Sequence, residues 1–393
     1  MNIDHWPTLD AEAYYGPLGG FVYEAAPHTE ADPAAILISG LVELGSLIGP
    51  GPYTIAGDAR HGVNLGAVVV GETAKARKGT AGQVAAQMLE VLDQDFAEKV
   101  KGGFGSGEKL VDDVNDVDDH RLLVVETEFS RVLRVCSRDG SVLSQMIRDS
   151  WDGRPLQARS RGKTSVALQH HVSMLGHITL EELQRSLSDT DIYGGFANRF
   201  LWCLARRQRV LSNGGNVPTS IIATWARPLS DAVQAARQVA FLGRSPAADS
   251  LWAELYEEMS KDDPGGLLGA AISRDAPQLL RLSLMYALLD SSRVVESPHL
   301  ISAAAVWRYC RASAEAIFGD LSGDTVTDRV LAALRRVAPG GLTRDGLHDA
   351  LSRHATAIQL AMSLQFLEER GLVVTRDEGT GGRPRSVSYA VCE

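Results

Sequence analysis

Between Val68 and Thr80 an apolar run passes into a short basic loop, Val68-Val69-Val70-Gly71-Glu72-Thr73-Ala74-Lys75-Ala76-Arg77-Lys78-Gly79-Thr80. The chemistry open to such residues is phosphate binding. In loops of the pattern G-x-x-x-x-G-K-[ST], backbone N–H groups wrap the phosphates, the lysine reaches the β/γ oxygens and the hydroxyl holds Mg²⁺. This loop departs from that pattern. Ala76 stands at the second glycine, Arg77 at the lysine and Lys78 one place late, and Gly79 separates Lys78 from Thr80. Context has to carry the reading. An apolar stretch from Asn64 to Val70 leads in, and Val84, Met88, Leu89, Leu92 and Phe96 follow at helical spacing. Gly71, Thr73, Lys75, Arg77, Lys78, Gly79 and Thr80 are therefore the nucleotide-binding candidates, with Thr80 the Mg²⁺ ligand. The plainer alternative is a basic strand-to-helix turn without a ligand.

Phosphoryl transfer also needs a carboxylate near the metal or the attacking water. Leu122-Leu123-Val124-Val125-Glu126-Thr127-Glu128 supplies candidates at the carboxyl end of a second strand, where ligands of parallel sheets bind. Alternation by two puts Glu126 and Glu128 on one side if the strand runs that far. A third strand, Val172 to His177, ends in an imidazole that could sense the γ-phosphate. Arg199, in Gly194-Gly195-Phe196-Ala197-Asn198-Arg199, is the first candidate for a cation acting across a subunit boundary. Arg281, on a strongly periodic helix, is a second cation that a helical lid could bring onto the phosphates. Arg148, Arg154, Arg159, Arg161 and Lys163 surround Trp151, a pattern suited to a nucleic acid strand in a loop. Asp112, Asp113, Asp116, Asp118 and Asp119 lack calcium-loop spacing and are expected in an exposed loop.

The elements that must position these groups follow from periodicity and punctuation. Residues 1–60 form an α-helical preface with a helix from Pro33 to Ile48, stopped at Gly49-Pro50-Gly51-Pro52. From 61 to 215, strands at Val63 to Val70, Arg121 to Thr127, Val172 to Ile178 and Arg199 to Ala205 alternate with helices near 81–100, 128–149 and 179–190. That alternation predicts a parallel sheet covered on both faces. Residues 216–322 are expected to be an all-α lid. Residues 323–393 give three helices, Asp328 to Val337, Thr343 to Leu351 and Thr356 to Arg370, and then two strands around a Gly-rich turn. This is a winged helix-turn-helix pattern, with Thr343 as an N-cap. Its tip, Gly381-Gly382-Arg383-Pro384-Arg385, offers Arg383 and Arg385 to phosphates. Winged helices also dock proteins, so the pattern alone leaves both uses open.

Composition narrows the class. The 393 residues are 45% hydrophobic and 22% charged, which fits a globular chain of two or three domains. No signal-like segment or bilayer-length apolar run stands out, so a cytoplasmic protein without a membrane partner is expected. Cys136, Cys203, Cys310 and Cys392 lie far apart, without a C-x-x-C pair. A net charge of −10 argues against general polyanion coating, yet residues 327–393 hold nine Arg against eight Asp and Glu.

Taken as a set, Gly71 to Thr80, Val124-Val125-Glu126-Thr127-Glu128-Phe129, Gly176-His177-Ile178-Thr179 and Gly195-Phe196-Ala197-Asn198-Arg199-Phe200 resemble a RecA-like P-loop ATPase family. Its members occur alone or joined to primase-polymerase domains in plasmids, phages and integrated elements. The resemblance covers about residues 10–320, and a wing-type tail is a frequent companion. It implies a RecA-like parallel-sheet α/β core, ATP and Mg²⁺ as cofactors, helicase or DNA-dependent ATPase activity, a homo-oligomeric ring and a primase-polymerase partner. In that setting Lys78 holds the β/γ-phosphate, Glu126 or Glu128 orients water, and Arg199 acts in trans on single-stranded DNA-stimulated turnover. Two rival readings are a nucleotide-gated DNA-binding regulator or initiator and a degenerate scaffold subunit for a primase.

Overall fold

The computed structural model describes residues 6–72, 76–115, 119–160, 163–187, 189–262, 264–319, 324–352, 355–379 and 385–391. The chain divides into two compact units, one holding Pro7–Pro264 and Gly269–Ile317, the other built on Phe318–Glu393.

In the first unit, α1 (Gly16–Ala25) precedes α2 (Pro33–Ile48). Asp32 caps α2 through the Ala34 N–H at 3.1 Å, Pro33 opens it, and Gly49 at φ 93° ends it. Apolar on nearly every side, α2 is buried along its length from Ala34 to Ile48, as an all-round apolar helix must be. A hairpin, β1 (Tyr53–Ala56) and β2 (Ala59–Gly62), leads to β3 (Gly66–Gly71), in which all residues are buried. Then come α3 (Lys78–Leu92), β4 (Val100–Lys101), α4 (Gly107–Val114), β5 (Arg121–Glu126), α5 (Phe129–Cys136) and α6 (Leu143–Asp152). A second hairpin, β6 (Leu156–Ser160) and β7 (Lys163–Ala167), is followed by β8 (His171–Thr179), α7 (Leu180–Ser186), α8 (Asp189–Tyr193) and β9 (Leu201–Ala205). The remaining helices are α9 (Thr219–Ala236), α10 (Pro246–Lys261), α11 (Gly266–Ile272), α12 (Asp275–Leu289) and α13 (Ser297–Phe318).

β4, β5, β8, β3 and β9 form, in that order, a five-stranded parallel sheet. The chain leaves β3 for the far edge, works back through β5 and β8, and crosses β3 to finish at β9. β3 is thus central, with Gly71 beside Thr179 of β8 and Ala205 of β9. α2 packs across this sheet, so the expected preface lies in the same compact unit as the strands. Among the described residues no helix is long and apolar enough to cross a membrane.

Several expectations need correction. The segment taken as a loop around 148–163 is the end of α6 and the β6–β7 hairpin, and Trp151 is buried at 5% exposure instead of lying between exposed cations. The helix expected at 128–149 breaks into α5 and α6, with Gly140 between them at φ 73°. Asp112 and Asp113 belong to α4, where Asp112 accepts from Ser165 Oγ and Asp113 pairs with Lys109. The β5 strand ends at Glu126, so alternation does not extend to Glu128, which stands at the head of α5.

The second unit runs α14 (Thr325–Val337), β10 (Leu342–Thr343), α15 (Arg344–Ala350), α16 (Ala357–Glu369), β11 (Val373–Glu378) and β12 (Arg385–Ala390). Val330, Leu334, Leu347, Leu360, Leu367 and Val373 are among its core residues. The three strands pair antiparallel in the order β10-β12-β11. Thr343 caps α15 by accepting from the Gly346 N–H at 3.2 Å.

Candidate functional site

At the carboxyl end of β3 the chain passes from Gly71 through exposed Glu72 to buried Ala76 and then Arg77, whose φ of 58° and ψ of 26° are left-handed. For a residue with a Cβ that conformation costs roughly 1–2 kcal/mol, and a glycine would avoid it. Arg77 is held there by Glu30, a fully buried carboxylate 2.7 Å from Nε. Glu30 also accepts from the Leu211 N–H at 2.7 Å and from Arg207. Those bonds, the Leu211 N–H first, keep its carboxyl below the usual range. The residue at the expected lysine position is therefore anchored to the protein.

Lys78 opens α3 and is half-buried. Burial lowers its pKa, opposed by the charge of Glu182. Glu182 forms a capping box with Thr179 at the start of α7, Thr179 Oγ1 taking the Glu182 N–H at 3.2 Å and giving its proton to Oε2 at 2.8 Å. Thr80, half-buried in the first turn of α3, and exposed Gly79 complete the rim. His177 lies beneath them at 3% exposure, and among the described residues neither of its ring nitrogens has a hydrogen-bond partner. Its ring lies close under α3: a Cβ added at Gly82 would stand 3.0 Å from Cε1. Burial, helped by Lys78, pulls its pKa down to about 4, so the imidazole is neutral at pH 7. It supports the start of α3 and does not open onto solvent as a direct phosphate sensor would.

The two acids differ. Glu126 is buried, and its Oε1 accepts from the Gly103 and Phe104 N–H groups at 2.6 and 3.2 Å. Glu128 is exposed and caps nothing with its side chain. One carboxylate is thus committed to the loop after β4, and the other is exposed to solvent.

The structure gathers Gly71, Lys78, Gly79, Thr80, Thr179 and Glu182 at one end of the sheet. It places Arg199, Arg281 and Arg154 at the other. Arg199, before β9, is 7% exposed and pairs with Asp152 at 2.8 Å while also donating to Gly195 O. A guanidinium so held is not presented to a neighbouring copy. Arg281 donates to Asn64 O and Trp151 O at the amino end of β3, so it brings no charge to the carboxyl-end loop. Arg154 pairs loosely with Asp149 and Asp152, each at 3.7 Å. Thr73, Lys75, Arg161 and Arg383 lie outside the described residues, as do the side chains of Arg159 and Lys163. Arg385 is exposed at the start of β12, opposite Glu378. The pairing of Thr179 with Glu182 was missed in the sequence, although Thr-x-x-Glu at the head of a helix is a readable signal.

Among the described residues no cluster of His, Cys, Asp and Glu is arranged to hold a metal by itself. Thr80 with phosphate oxygens is the donor set this loop can offer Mg²⁺. Comparison of the chain with known proteins finds no matching family model and no matching curated protein.

Proposed function

We propose that the chain is an ATP-driven motor acting on DNA, with the nucleotide seated on the loop between β3 and α3. One observation carries this reading: a fully buried central parallel strand ends at Gly71, and the next helix begins with Lys78 and Thr80 over its carboxyl end. Backbone N–H groups at the start of α3 and the Lys78 amine would take the β- and γ-phosphates, and Thr80 would complete the Mg²⁺ shell. The sheet order supports the RecA-like resemblance. β5 stands two strand spacings from β3, about 10 Å, which leaves room for a γ-phosphate and an attacking water between loop and acid. Since Glu126 is tied to backbone N–H groups, Glu128 is the carboxylate assigned to the water. ATP and Mg²⁺ are the cofactors of this reading, and a homo-oligomeric ring on single-stranded DNA is its working form.

The test is ATP hydrolysis by the purified chain with and without single-stranded DNA, beside Lys78→Ala. DNA-stimulated turnover that falls roughly 10²–10³-fold on the substitution is expected, the loss typical of removing one preorganised group on a developing charge. Binding without turnover would favour a nucleotide-gated regulator, and no binding a scaffold.

For the C-terminal unit a second reading has its own observation. α16, the helix a winged-helix domain would lay into a groove, contains no Lys or Arg, exposes Ile358, Met362 and Phe366, and ends in Glu368-Glu369. Such a face suits protein docking better than phosphates. A primase-polymerase is the partner that the resemblance suggests for it.

A further inference from the structure

At the amino ends of the same strands lies a cleft of about 550 Å³. Small-molecule sites commonly span roughly 300–1,000 Å³. Its walls come from the β1–β2 hairpin, the approaches to β3 and β8, the end of α6 and Arg274 and Arg281 beside and on α12. Four guanidiniums line it, those of Arg60, Arg154, Arg274 and Arg281, against two carboxylates, Asp58 and Asp152. Asp152 is already divided among Arg199 at 2.8 Å, Arg274 at 3.6 Å and Arg154 at 3.7 Å.

Arg281 is 2% exposed and has no carboxylate at ion-pair distance among the described residues. Its Nη1 donates to Asn64 Oδ1 at 2.6 Å and Asn64 O at 3.1 Å, its Nη2 to Trp151 O at 2.8 Å, and among the described residues its Nε has no partner. The Trp151 ring lies 3.8 Å from the Arg281 guanidinium, 5.4 Å from that of Arg274 and 5.9 Å from that of Arg199. Burial, reinforced by those two arginines against the pull of Asp152, draws the Arg281 pKa down to about 9. His61, 7% exposed in the same wall, has an Nδ1 without a partner among the described residues. A buried cation with no carboxylate at ion-pair distance is costly, and an anion in the cleft would relieve that cost.

We propose that this cleft is a second anion site, taking the phosphates of a nucleotide-sized ligand through Arg60, Arg274 and Arg281. Several planar cationic forks converging on one space suit a multiply charged phosphate better than a single carboxylate. The length of β3, about 20 Å, separates this cleft from the loop before α3, so one ligand cannot fill both.

The test is calorimetric titration of the full chain carrying Lys78→Ala, which disables the loop at the other end of the sheet. The probes are inorganic pyrophosphate and, separately, a single-stranded oligonucleotide without terminal phosphates. Saturable pyrophosphate binding is expected, weakened about tenfold or more by Arg274→Ala and by Arg60→Ala, the effect of removing one charge-assisted contact. Arg60 is exposed, so its substitution keeps the test open if Arg274→Ala fails to fold. No pyrophosphate binding, binding indifferent to both substitutions, or binding of the oligonucleotide alone overturns the proposal.

Discussion

Gly79 separates the demands of folding from those of binding. A Cβ built at that position meets nothing within 4 Å, so the protein itself has no steric need for glycine there. Alanine should be neutral or stabilising, by at most about 1 kcal/mol, because it is the better helix former. A phosphate on the N–H groups at the start of α3 would meet that added methyl group. Gly79→Ala is therefore expected to keep or raise the melting temperature while weakening ATP binding about tenfold, the order of one lost charge-assisted hydrogen bond. Unchanged affinity in a nucleotide titration would move the phosphates elsewhere. The passage from a buried strand through a short loop carrying Lys78, Gly79 and Thr80 into a helix was legible from local order alone. The roles of Arg77 and Arg281 were not, because their partners are Glu30 and Asn64, far away in sequence. Periodicity says which helix face is buried. It does not say which end of a sheet a long side chain reaches.

Among the elements, α2 was fully legible, since Asp32, Pro33 and Gly49 mark both ends of an apolar run. Its role in the fold was not. Gly45 packs so closely on the chain before β3 that an added Cβ would stand 2.3 Å from Val63 O, a backbone atom that cannot swing aside. The Gly45 carbonyl also accepts from His171 Nε2 at 2.9 Å, which fixes the helix to the start of β8. Gly45→Ala should cost about 1–3 kcal/mol by overpacking, seen as a lower denaturant midpoint with an unchanged slope. A midpoint like that of the unmodified protein would show that α2 can lift without loss. The elements missed in the sequence share a physical cause. β4 is two residues long, and β6 and β7 mix charged and apolar residues too briefly to show an alternating pattern.

Over the whole chain, buried ionisable groups set the response to acid. His61, His171 and His177 are each pulled down to about 4, burial being the main cause. Unfolded histidines take up protons near pH 6.5, so these groups favour the folded state fully above that pH and lose their contribution as the pH falls towards 4. Glu30, Asp119 and Glu182 have lowered pKa values and act in the same direction at lower pH. Glu43, Asp32 and Asp275, raised by burial, act oppositely, weakening the fold as the pH climbs above the usual carboxylate range. His170 is lowered by burial as well, so four imidazoles favour the fold less as the pH falls from about 6.5 to 4.5, against the opposite pull of the raised carboxyls, and His177→Asn should make the urea midpoint fall less, or rise more, on acidification across that window. A pH dependence of the midpoint left unchanged by His177→Asn would mean that this imidazole is not buried neutral. At this scale the sequence indicated alternating strands and helices. It did not show that the early helices and the sheet share one compact unit, since that depends on which faces meet.

The position of β3 also has a mechanical consequence. It is hydrogen-bonded to β8 along one side and to β9 along the other, with Gly71 at the end where the loop begins. A pull on that loop along the strand loads both ladders in shear, so many bonds must fail together before β3 slips. β4, joined to the edge of the sheet by two residues, would instead peel bond by bond. Load entering at the loop before α3 is thus carried into the stiffest part of the sheet, while its weakest strand lies at the opposite edge.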